Sequence, residues 1–170
     1  RIESGGWRPE PEILDAAAVA RESWALMADR AVQRQVEFET EVEPGAERVY
    51  ADPDAFRQVL SNLLDNALRY TAPRGRITLR ARREDAGVRV SVRDTGAGIP
   101  SDHLDRIFER FYRADAARSR DEGGTGLGLA IVKHLVEAHE GRVSARSEVG
   151  AGTEIASWFP DGAGAAVARP

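Results

Sequence analysis

The stretch from Asp52 to Tyr70 constrains the fold more than any other part of this chain. Phe56, Val59, Leu60, Leu63, Leu64, Ala67 and Leu68 fall at offsets 0, 3, 4, 7, 8, 11 and 12, the period of an α-helix with one buried face. Asp52-Pro53 supplies a capping carboxylate and then a proline whose fixed φ suits the first helical position. Beside the apolar stripe runs a second line, Asn62, Asn66 and Arg69 at i, i+4 and i+7, with Tyr70 where the two lines meet. Asparagine is a mediocre helix former because its side chain competes for backbone hydrogen bonds. A solvated face would carry Glu, Lys or Gln at lower cost. Two readings fit. The amides are tolerated boundary residues, or they border a polar ligand. An amide oxygen suits a hard cation such as Mg²⁺, which keeps waters and shares itself with phosphate. Arg69 and Tyr70 would then hydrogen-bond phosphate oxygens.

The segments around this helix alternate between helical and extended patterns. Leu14 to about Gln35 predicts an amphipathic helix, with Val19, Leu26 and Met27 among its larger apolar residues. "VEFETEV" alternates at Val36, Phe38, Thr40 and Val42 as a half-buried strand does, and "AERVYA" reads as a second short extended piece. "RITLRAR" and "GVRVSVRD" flank "REDAG" and predict an antiparallel hairpin. A short helix is expected from about Asp102 to Tyr112, then a polar, mobile loop, "RADAARSRDEGGTG". Leu127 to Glu140 predicts a third clear helix closed by Gly141, and "RVSARSE" and "TEIASWF", joined by "VGAG", are the last strands. The expected architecture is an α+β two-layer sandwich, a mixed sheet of about five strands covered on one face by about three helices. The expected boundaries are a linker remnant over 1–9, one domain over 10–160 and a flexible tail over 161–170.

Composition narrows the function. A chain of 170 residues, 42% hydrophobic, can enclose one sizeable core. The net charge of −4 and dispersed basic residues give no electrostatic footprint for nucleic acid. Absent cysteine excludes disulfides, zinc thiolates and thiol nucleophiles. No run approaches the roughly 20 apolar residues of a membrane span, and the opening "RIESGGW" reads as a cut through something longer. Lys133 is the only lysine among 24 basic residues, a bias of genome base composition.

Glycine-rich turns bear on the two readings of the asparagine line. "RDTGAGIP" places Asp94 at the end of a strand, followed at once by Gly96 and Gly98, where a backbone can approach a ligand closely. "GGTGLGLAIV" puts Gly124, Gly126 and Gly128 at the opening of the third helix, where exposed N–H groups and the positive dipole end favour an anion. The Gly-Lys-Ser/Thr ending of a P-loop is missing, and the dinucleotide fingerprint is not met. A single glycine cluster reads as punctuation; three phosphate-compatible elements in order favour a ligand.

At these residues the chain resembles a known family. "QVLSNLLDNALRYT", "VRDTGAGIP", "IFERFYRAD", "GGTGLGLAIVKHLVEAHEGRVSARSEVGAGT" and "WFP" are similar, in order and spacing, to the successive boxes of the ATP-binding domain of bacterial sensor histidine kinases. The resemblance covers roughly residues 10 to 160 and implies the Bergerat α/β sandwich shared with gyrase, the Hsp90 chaperones and MutL. It implies ATP and Mg²⁺ as cofactors. Asn66 would ligate Mg²⁺ through its amide oxygen, and Asn62 would lie one turn back beside the phosphates. Arg69 and Tyr70 would hold the phosphates and cover part of the ribose and adenine. Asp94 would accept a hydrogen bond from the adenine amino group, with Gly96, Gly98 and Ile99 around it. Taken alone, Asp94 also reads as a turn aspartate capping its glycines. Phe108 and Phe111 look like the family's phenylalanine box, a role compatible with core packing. Arg113 and Arg118 would reach the γ-phosphate, though Arg118 reads equally as part of a solvated charge run. Gly124, Thr125, Gly126, Leu127 and Gly128 would surround the phosphates with backbone donors, and Thr153 would reach the adenine end.

In that family the phosphoryl acceptor is a histidine on a separate helical dimerisation domain. His103, His134 and His139 sit in no such motif, so the resemblance implies a donor domain that does not phosphorylate itself. It also implies a downstream response regulator, no nucleic-acid partner, a monomeric fragment of a homodimeric parent, and a cytoplasmic position in a membrane-anchored sensor. Three alternatives stand beside this reading. An ATP-hydrolysing relative would carry a general-base glutamate where this chain has Asn62, which has no useful basicity. An aspartic protease would need Asp94 paired with its twin, and Arg93 is out of place in that family. A pseudo-kinase would bind partners alone.

Overall fold

The computed structural model describes residues 6–112 and 127–162. Chain order is β1 (Glu12–Asp15), α1 (Ala16–Ala25), α2 (Ala28–Arg34), β2 (Glu37–Val42), β3 (Arg48–Ala51), α3 (Pro53–Tyr70), β4 (Arg76–Glu84), β5 (Gly87–Asp94), α4 (Ser101–Leu104), α5 (Gly128–Ala138), β6 (Arg142–Glu148) and β7 (Gly152–Pro160). The main sheet has the order β2-β4-β5-β7-β6. β2 runs parallel to β4 and every other pairing in it is antiparallel, so the sheet is mixed, as expected. β1 and β3 form a separate antiparallel pair.

Strand alternation divides the sheet into two faces. Ile77, Leu79 and Ala81 of β4, Val88, Val90 and Val92 of β5, and Ile155 and Phe159 of β7 are buried on one face. Phe56, Leu60, Leu63, Leu64 and Leu68 of α3 and Val132 and Val136 of α5 belong to the same core, so the stripe read from the sequence is the stripe that packs. Phe56 meets Phe159 edge to face at 5.5 Å, an arrangement the ring quadrupoles favour. On the other face Glu154 is buried among polar partners. It accepts from the Ser91 hydroxyl at 2.8 Å and from Arg146 at 3.2 Å.

Three expectations need correction. The helix expected from Leu14 to Gln35 is two helices preceded by a strand. Leu14 belongs to β1, Asp15 caps α1 by accepting from the Ala18 N–H, and the chain turns at Leu26 and Met27. Periodicity misses this break because buried Ala16, Ala20, Ser23 and Ala31, with partly buried Met27, keep helical spacing across it. Leu26, at the turn itself, is 85% exposed.

The helix expected from Asp102 to Tyr112 is the single turn α4, followed by successive i→i−3 bonds from Arg106, Glu109 and Tyr112. Phe111 takes a left-handed φ of 63°, which a helix cannot contain.

At the end of α5, Glu140 rather than Gly141 adopts the left-handed conformation, with φ 61°. Gly141 is needed for another reason: a Cβ there would lie 2.1 Å from the Trp158 carbonyl oxygen.

Candidate nucleotide site

Asp94 closes β5 with its side chain on the buried face and only 4% of the residue exposed. Its Oδ1 accepts from the Gly96 N–H at 2.8 Å and from the Thr153 N–H at 3.3 Å. Both bonds converge on one oxygen; Oδ2 makes none among the described residues. Burial pushes the carboxyl above the usual aspartate range, and the two N–H groups and nearby Arg93 oppose that rise. A desolvated carboxylate with one saturated oxygen and one spare acceptor suits a ligand N–H.

The glycines around Asp94 hold the backbone close to its neighbours. A Cβ at Gly96 would lie 2.2 Å from the Tyr70 carbonyl, which packs the end of α3 against this loop. Gly98 has φ +83°, and a Cβ there would meet the Glu148 carbonyl at 2.3 Å. The Ile99 N–H donates to Ser147 Oγ at 2.7 Å, and the Gly150 N–H to the Ala97 carbonyl at 2.7 Å. The loop after β5 is thereby laced onto the turn between β6 and β7.

On α3, the Asn62 amide donates through Nδ2 to the Gly128 carbonyl at 3.3 Å. That bond joins the asparagine line to the first residue of α5. Asn66 is half-buried, and its amide makes no hydrogen bond among the described residues. Leu127, at the N-cap of α5, has no side-chain acceptor for the N–H groups of the first turn, and a Cβ added to Gly128 would meet none of the described residues within 4 Å. Arg69 donates through Nε to Asp65 at 2.9 Å, and Asp65 is also held by Arg30 at 2.7 Å.

Of the residues singled out from sequence, Asp94, Gly96 and Thr153 are joined directly by hydrogen bonds. Gly98 and Ile99 join them through β6, Tyr70 through its carbonyl, and Asn62 meets Gly128. Phe108 packs at the edge of the core, whereas Phe111 is 67% exposed; among the described residues of that segment the buried side chain is Ile107. Arg113, Arg118, Gly124, Thr125 and Gly126 lie outside the described residues.

Sequence reasoning missed Ser147, Gly152 and Asp65. Gly152 stands just before Thr153 with φ +132°, and a Cβ there would lie 2.0 Å from the Asp94 carbonyl, so "GAGT" held the signal. Asp65 was legible as the i−4 partner of Arg69. A cleft of about 690 Å³ lies at the far ends of α5 and β7, lined by Arg8, Tyr50, His139 and Asp161, and is separate from these residues.

Residues 51–163 match the family model described as histidine kinase-, DNA gyrase B-, and HSP90-like ATPase. The circadian input-output histidine kinase CikA of Synechococcus elongatus is 44% identical over 111 residues, 65% of this chain and 15% of the relative. The chain thus spans a small part of the curated relatives it matches. Full-length ShkA in complex with AMPPNP superposes with a TM-score of 0.78 at 34% identity, covering 92% of this chain and 32% of that one. The catalytic domain of histidine kinase ThkA gives 0.76 at 28% identity, covering 89% and 95%. ThkA has also been solved in complex with the response regulator protein TrrA. With its mixed sheet and more than half its length inside the family model, this chain belongs to the histidine kinase-, DNA gyrase B- and HSP90-like ATPases.

Proposed function

We propose that this chain binds Mg·ATP between α3, the turn after β5 and the start of α5, and donates the γ-phosphoryl group to a histidine on the dimerisation domain of a two-component sensor histidine kinase. The observation that carries the reading is Asp94, whose Oδ1 is saturated by backbone N–H groups while Oδ2 is left to accept from an amino group of the base. A 6-oxopurine would set a carbonyl against that carboxylate. Sites that read a hydrogen bond in this way can discriminate by ~10⁴ or more.

The polar groups at the other side of the cleft fit a triphosphate and a divalent ion. The amide of Asn66 is available as an oxygen donor, and Asn62, tied to Gly128, holds its own amide beside the helix opening. Among the described residues no cluster of three His, Cys, Asp or Glu side chains is placed to hold a metal. Mg²⁺ would therefore be shared between Asn66, water and phosphate oxygens, where it neutralises charge. The N–H groups of α5 would face the phosphates. Arg69 and Tyr70 would border the nucleotide, with Asp65 fixing the guanidinium, and Arg113 and Arg118 would approach the γ-phosphate. Phosphoryl transfer asks the protein for position and charge neutralisation more than for covalent chemistry.

The acceptor would lie on another domain. His139 is engaged at both ring nitrogens, Nε2 accepting from the Asp52 N–H and Nδ1 lying 2.7 Å from the Leu135 carbonyl. Nδ1 of His103 is bonded to the Tyr112 hydroxyl. The ThkA–TrrA complex supports a response regulator as the downstream partner. The parent would be a homodimeric, membrane-anchored bacterial sensor with this domain in the cytoplasm.

The test is to add the parent's helical domain in trans with labelled ATP. Acid-labile phosphate on that domain, with none on this chain, is expected. Steady ATP hydrolysis without transfer would instead favour the ATPase alternative.

A further inference from the structure

Among the described residues, the Ser147 hydroxyl on the inner side of β6 has three polar neighbours. It receives the Ile99 N–H at 2.7 Å, lies 3.0 Å from the Gly152 carbonyl and lies 2.8 Å from Thr153 Oγ1. A serine hydroxyl has one proton and two acceptor lone pairs. The Gly152 carbonyl only accepts, so the serine proton goes there. The Ile99 N–H takes one lone pair, and the remaining one receives the Thr153 proton. Thr153 Oγ1 therefore spends its own hydrogen on Ser147 and keeps acceptor capacity alone for anything else it meets.

We propose that Ser147 is a specificity-determining positioning residue that fixes Thr153 as a pure acceptor beside Asp94. The inference rests on the nucleotide reading above and adds a polarity rule to it. Thr153 donates its N–H to Asp94 Oδ1, so its hydroxyl and the spare Asp94 Oδ2 belong to the same end of the cleft. Two acceptors there match a base that brings an amino group with two hydrogens, and they oppose a base that brings a carbonyl. Without Ser147, the Thr153 hydroxyl could rotate and donate, and a 6-oxopurine would regain a partner. Discrimination by Asp94 alone would then be incomplete.

The experiment measures ADP and IDP affinities of the 170-residue chain in Mg²⁺, for wild type, Ser147→Ala, Ser147→Thr and Thr153→Val. The wild type is expected to prefer ADP by about 10²-fold or more. In Ser147→Ala the ADP:IDP ratio should shrink by about tenfold, the size of one modest hydrogen bond. Ser147→Thr, which restores a hydroxyl at the same position, should return the ratio. Thr153→Val should lower the ratio with no need to alter the loop contacts of Ser147, so it tests the idea even where Ser147→Ala does not fold. Equal loss of both nucleotides in Ser147→Ala, or an unchanged ratio in Thr153→Val, would overturn the assignment while ADP binding persists. Absence of ADP binding by the wild type would instead remove the nucleotide reading, and this inference with it.

Discussion

At Asp94 the proposed role and stability oppose each other in one side chain. Burial raises its carboxyl above the ordinary value of 3.8, more than the Gly96 and Thr153 N–H groups and Arg93 lower it. The folded chain then holds this proton more tightly than the unfolded chain, so ionising Asp94 removes stability as pH rises from 3.8 through the raised value. Asp94→Asn keeps an oxygen for the two N–H groups and deletes the buried charge. Thermal melts at neutral pH should give a higher Tm for the variant, and a lower Tm would contradict this account of the site. Asp94 stood out in the sequence because Gly96 and Gly98 follow it at once, whereas Thr153 was reached only through the family resemblance. Ser147 was not, because a serine at an alternating strand position reads as an ordinary half-buried polar residue. Arg69 was legible as a cation, but its pairing to Asp65 and through it to Arg30 depends on how α2 packs, which no local pattern states.

At the scale of elements, α3 was read in full because cap, proline and stripe agree. Asp52 Oδ1 accepts from the Ala55 N–H at 3.0 Å, and Oδ2 accepts from the Glu10 N–H at 2.9 Å. Asp52→Ala should therefore cost about 1–2 kcal/mol in urea unfolding; a cost near zero would mean the cap is replaced by water. Gly141→Ala should cost more than about 2 kcal/mol, because the obstacle is the Trp158 backbone and not a movable side chain. A mild effect in the same unfolding series would contradict that close approach. The breaks at Leu26–Met27 and after α4 escaped the sequence reading for a common reason. Helical spacing continues across the first, and Ile107, Phe108 and Phe111 imitate it in the second, while the backbone turns are set by what the segments pack against.

At the scale of the whole molecule, the mixed sheet and its helical cover follow from strand alternation and three apolar stripes, and so were legible before any coordinates. The pairing of β1 with β3 was not, since four-residue strands carry too little pattern. Acid sensitivity is a property of the assembled fold. Burial alone would raise the Glu154 carboxyl, but Ser91, Arg146 and the field of Arg89 outweigh it and hold it below 4.5. Burial likewise raises Asp52, and the N–H groups of Glu10, Ala55 and Asp54, with His139, bring it below 3.8. Both groups contribute stability that is present above those unfolded values and lost as pH falls through the lowered folded ones. Ser91→Ala should narrow the acid-stable range in a pH-dependent melt, and an unchanged acid limb would remove Glu154 from the account. The claim on which everything else rests is that the cleft among α3, the Asp94 turn and α5 takes an adenine nucleotide with Mg²⁺. Calorimetric titration of ADP into the wild type and Asp94→Asn, with and without Mg²⁺, measures it directly. Magnesium-dependent binding weakened about 10²-fold in the variant is the predicted result; no binding by the wild type, or equal binding by both, would contradict it.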